Sequence, residues 1–145
     1  MSMSKIDRLE GILRRMIIKS NDSISSSVVI SERGLIVAGV VTDGSSSETL
    51  SAMVSLMSDT ACRVSGNLGF GNPRTALVKT LGVIIVMSEF LVSNRRFRMG
   101  AVLKDSERFS ILRRRMIVEK RMTMEKIEDL FNKAERDIRK ILESA

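Results

Sequence analysis

Residues 28–41 read VVISERGLIVAGVV, two β-branched apolar runs with only Glu32, Arg33 and Gly34 between them. A link that short cannot carry a parallel crossover, so the two runs are committed to an antiparallel hairpin. A second group of strand-like segments follows: RTALVKT at 74–80, GVIIVM at 82–87 and FRMGAVL at 97–103, with 89–95 as the connection before the last. Neither run of the first hairpin alternates with polar residues, which places both faces of its sheet against other elements.

Helical periodicity fills the intervals. Ser4 caps a first helix with Ile6, Leu9, Leu13, Met16 and Ile17 on one face, and the NDSISSS segment at 21–27 reads as turn and loop. A second helix spans about residues 47–67 and carries two stripes. Leu50, Val54, Met57, Ala61, Val64 and Leu68, with Met53 alongside, form the face expected to pack on the sheet. Roughly 100° around the helix lie Ser51, Ser55, Ser58, Cys62 and Ser65, all small enough to let another backbone come close. Asp105 or Ser106 caps a third helix with Phe109, Leu112, Met116 and Ile117 in register. Thr123 caps a fourth, with Ile127, Leu130, Phe131, Ala134, Ile138 and Ile141 or Leu142. The order is α-β-β-α-β-β-β-α plus an extra C-terminal helix. That is an α/β sandwich with a five-stranded antiparallel sheet and helices on both faces.

Little in this chain suits catalysis. Among its 145 residues there is one Cys and no His, which removes disulfides, Cys-rich metal sites and every nucleophile paired with histidine. Carboxylates are dispersed, so no enzyme activity, metal or cofactor is expected. The segment GNLGFGNPR at 66–74 has the glycines of a phosphate loop in the wrong order: helix, glycines, strand. It meets the negative end of the helix dipole, so Gly66 or Gly69 reads as a helix stop and Asn72-Pro73 as a turn into the next strand. The longest unbroken apolar stretch is the VIIVM of 83–87, far short of a membrane span, and the amino terminus does not resemble a signal peptide. A cytoplasmic location is the expectation.

Charge is concentrated. Ten cations and three carboxylates fall within 93–121, so that segment alone accounts for the net charge of +7. Arg95, Arg96, Arg98, Arg113, Arg114 and Arg115 form a candidate basic patch for nucleic acid or an acidic membrane surface. Its only aromatic residues are Phe97 and Phe109, a thin platform for stacking bases.

The chain resembles the Roadblock family of small-GTPase regulators, whose fold is profilin-like. The resemblance is carried by VVISERGLIVA at 28–38, the long second helix, ALVKTLGVIIVM at 76–87 and MGAVL at 99–103, and covers roughly residues 5–118. It implies a Roadblock-type domain over 1–118 with a C-terminal helical extension over 119–145. It further implies a homodimer, or a heterodimer with a Roadblock paralogue, in which third strands pair edge to edge and second helices pack together. The matching positions are Ser51, Ser55, Ser58 and Cys62 on the helix, and Arg74, Ala76, Val78 and Thr80 on the strand. The partner implied is a small Ras-like GTPase, whose activity or localisation the dimer would modulate as a scaffold or an activating-protein-like factor. Ala52, Leu56, Asp59 and Arg63, on the helix side away from the sheet, are the candidate contacts.

Overall fold

The computed structural model describes residues 4–42, 44, 46–80, 82–104 and 124–143. β1 (Ile24–Ser31) pairs antiparallel with β2 (Ile36–Val41) on one side and with the middle strand of the sheet, β5 (Arg95–Lys104), on the other. Beyond β5 lie β4 (Val83–Val92) and β3 (Thr75–Lys79), giving one antiparallel sheet in the order β2-β1-β5-β4-β3. The expected five-stranded α/β sandwich is the fold found.

Helices α1 (Lys5–Lys19) and α3 (Met124–Glu143) pack on one face and α2 (Ser47–Asn67) on the other. Leu9, Leu13 and Met16 of α1 meet Ile127, Phe131, Ala134, Ile138 and Ile141 of α3 in a single core with Val29, Ala38, Val40, Phe90, Met99 and Leu103 of the sheet. The C-terminal helix thus shares the main core with α1. The opposite core is thinner: Leu50 and Val54 of α2 over Val28, Ile30, Ile85 and Met87. Ser4 caps α1 by accepting from the Asp7 amide at 3.1 Å, and Ser46 caps α2 by accepting from the Thr49 amide at 3.0 Å.

Three expectations need correcting. The serines of 21–27 are not all loop: β1 begins at Ile24, and Ser25, Ser26 and Ser27 are buried strand residues. A central strand tolerates them because hydroxyls can bond back to the ladder, as Ser27 does by donating to the Gly100 carbonyl at 2.7 Å. The connection at 89–95 is only two residues long. Ser93 and Asn94, both at positive φ, turn β4 directly into β5, as a two-residue hairpin loop requires. On α2, Ala61, Val64 and Leu68 do not pack on the sheet: no residue from Asp59 to Asn67 is buried, and Val64 and Leu68 are exposed. The helix outruns the strands beneath it. The third helix expected from Asp105 or Ser106 lies outside the described residues.

Candidate protein-interaction face

The two sheet edges differ. In β2 the pairing with β1 shifts register at Val29/Ile30, a bulge-type irregularity that bends an edge away from further pairing. β3 is regular throughout its pairing with β4. Its phase follows from two flanking hydrogen bonds, Glu89 amide to Arg74 carbonyl at 2.8 Å and Thr80 amide to Val83 carbonyl at 2.9 Å. Even-numbered residues therefore bond to β4, and Thr75 and Leu77 direct N–H and C=O outward. No described strand covers that edge.

Beside it stands the uncovered half of α2. The helix ends in a Schellman motif: the Gly69 amide donates to the Gly66 carbonyl at 3.1 Å and the Phe70 amide to the Ser65 carbonyl at 2.9 Å. Gly69 takes the left-handed φ of 73° that this cap needs. Those two amides are spent on helix carbonyls. The helix end and the loop after it carry apolar surface. Phe70 is 77% exposed, and Val64, Leu68 and Val78 are exposed as well, while the exposed Leu77 lies opposite Val86 on the other face of the sheet.

The positions proposed from sequence fall unevenly on this face. Ser51 and Ser58 are buried against the chain's own sheet, so two of the five residues of the small-residue stripe serve an internal contact. Ser55 meets the β1–β2 turn, where a β-carbon on Gly34 would stand 3.0 Å from its hydroxyl oxygen. Ser55 and Cys62 keep partial exposure. Arg74, Val78 and Thr80 are exposed, and Ala76 packs into the thinner core. Ala52, Leu56, Asp59 and Arg63 are all exposed. Sequence reasoning missed Thr75 and Leu77, the residues whose backbone is open to a new strand. Strand phase was the missing signal, and composition does not carry it.

Of the basic patch, one residue departs from expectation, Arg98. Arg95 is exposed, but Arg96 pairs with Glu89 at 3.5 Å and Arg98 is buried. Arg98 Nη1 donates to the Glu32 carbonyl at 3.4 Å, while Nη2 and Nε stand 3.8 Å from Asp59 and Glu89. Arg98 is thus held inside the fold, while Arg96 keeps its side chain 40% exposed beside Glu89. Arg113, Arg114 and Arg115 lie outside the described residues. Among the described residues no cluster of His, Cys, Asp or Glu could hold a metal, and no helix is long and apolar enough to cross a membrane.

A single antiparallel sheet in the order β2-β1-β5-β4-β3, with α2 as the one described helix on its second face, is the Roadblock fold. The chain is similar in structure to MglB of Myxococcus xanthus, with a TM-score of 0.71 at 12% identity over 99% of this chain and 94% of that one. The gliding protein MglB of Thermus thermophilus matches with a TM-score of 0.71 at 11% identity, over 100% of this chain and 96% of that one. A Roadblock/LC7 domain from Streptomyces avermitilis matches less fully, with a TM-score of 0.56 at 15% identity, over 70% of this chain and 85% of that domain. No protein-family model and no curated protein sequence matches the chain.

Proposed function

We propose that this chain is a dimeric, non-enzymatic regulator or scaffold for a small Ras-like GTPase. The observation that carries the reading is the coincidence, on one side of a Roadblock fold, of a regular open strand edge and a half-helix that its own sheet leaves uncovered. A second copy of the chain supplies what that side lacks, a strand for the backbone of Thr75 and Leu77 and apolar cover for Val64, Leu68 and Phe70. Burying each of these large side chains contributes about 1.5–3 kcal/mol, against the cost of association. The dimer then displays Ala52, Leu56, Asp59 and Arg63 as the GTPase contact. The nucleotide belongs to the partner, and the regulator acts by preferring one of its switch conformations.

Sedimentation velocity at micromolar concentration tests the dimer. Titration calorimetry against Ras-like GTPases loaded with GDP or a non-hydrolysable GTP analogue tests the partner, with binding expected in one nucleotide state only. A strictly monomeric chain that binds neither form would overturn the reading.

A further inference from the structure

Arg98 occupies an unusual place. It lies on β5 directly across from Glu89 of β4, on the sheet face that α2 covers, with its side chain 8% exposed. Its guanidinium spreads to three elements at once: Glu89 on β4, the Glu32 carbonyl in the β1–β2 turn, and Asp59 on α2. Asp59 marks a boundary. It immediately follows Ser58, the last buried residue of α2, and its own side chain is 63% exposed. Beyond it the helix runs to Asn67 with no buried residue.

We infer that Arg98 is a positioning residue for the free half of α2: by holding the Asp59 carboxylate against the sheet and the β1–β2 turn, it sets the direction in which the uncovered helix projects. A guanidinium bonds the turn carbonyl through one nitrogen and, with its charge spread over the other two, keeps both carboxylates at ion-pair distance without hydrogen-bonding them, whereas a lysine ammonium on a flexible stem offers only a point charge. The inference deepens the proposed function and rests on it in one respect, that the free half of α2 carries the partner contact. Being buried, Arg98 cannot itself touch a partner on that face. An effect of its substitution on affinity therefore travels through the helix.

Hydrogen exchange measured by mass spectrometry on the full chain tests this, comparing residues 47–58 and 59–67 of α2. Asp59→Asn and Arg98→Lys are both expected to speed exchange in 59–67 about fivefold while 47–58 stays near the parent rate, as loss of a pair worth about 1 kcal/mol would produce. Asp59→Glu, which keeps the carboxylate, is expected to retain the parent protection. Arg98→Lys should also weaken binding to the GTPase without a matching loss of thermal stability. Unchanged exchange in 59–67, or an even rise along all of α2, would overturn the inference. A selective rise in a chain that binds no GTPase in either nucleotide state would uphold the role of Arg98 and remove the GTPase reading.

Discussion

Val54 sits directly on Gly100: a β-carbon built on that glycine would stand 2.2 Å from Val54 Cγ2. The contact sets how closely α2 lies on β5, because no side chain on Gly100 keeps the two apart. Val54 is itself fully buried and, being β-branched, has little rotamer freedom with which to retreat. Gly100→Ala should therefore lift α2 or strain β5, at a cost of about 1–3 kcal/mol. Chemical denaturation followed by circular dichroism reads this, and an unchanged midpoint would show that the helix has slack.

Two glycines near the end of α2 should respond with opposite signs. Gly66 lies within the helix with open space around it, so Gly66→Ala should stabilise by about 0.5–1 kcal/mol. Gly69 holds the left-handed cap, so Gly69→Ala should cost about 1–2 kcal/mol. Thermal melts of the two variants side by side give the comparison.

Leu77→Pro removes an N–H that points away from the sheet and leaves the bonds to β4 in place. Edge strands accept proline at such positions. If the chain pairs through β3 as proposed, the expected result is a monomer with a near-native far-ultraviolet spectrum, measured by sedimentation velocity beside the parent chain. A variant that remains dimeric would place the contact between copies elsewhere.

Ile138 is wholly buried between α3, α1 and the sheet. Ile138→Ala should cost about 2–5 kcal/mol and lower the melting of the whole domain in one transition. A separate early transition for α3 in scanning calorimetry would mean that the helix is held independently.

Much of the architecture was legible in the sequence because short links and apolar periods act locally. The link at Glu32, Arg33 and Gly34 dictates a hairpin whatever surrounds it, and Leu9, Leu13 and Met16 declare the inner face of α1 by spacing alone. What escaped depends on distant partners. Period shows which way Val64 and Leu68 point, but not that the sheet beneath them has ended. Arg98 looks like one cation in a basic run until the fold brings up Glu32, Glu89 and Asp59, none of them its chain neighbours. Ser25, Ser26 and Ser27 have loop composition and become strand only because β1 is flanked on both sides.

The register shift in β2 has a consequence for stoichiometry. When one border of a sheet is straight and the other kinked, lengthening it through the straight border uses up the only site of growth. Two chains joined through β3 would show the surroundings nothing but two kinked β2 borders. Such a pairing stops itself at two, where a protein with two straight borders would be free to polymerise into fibres.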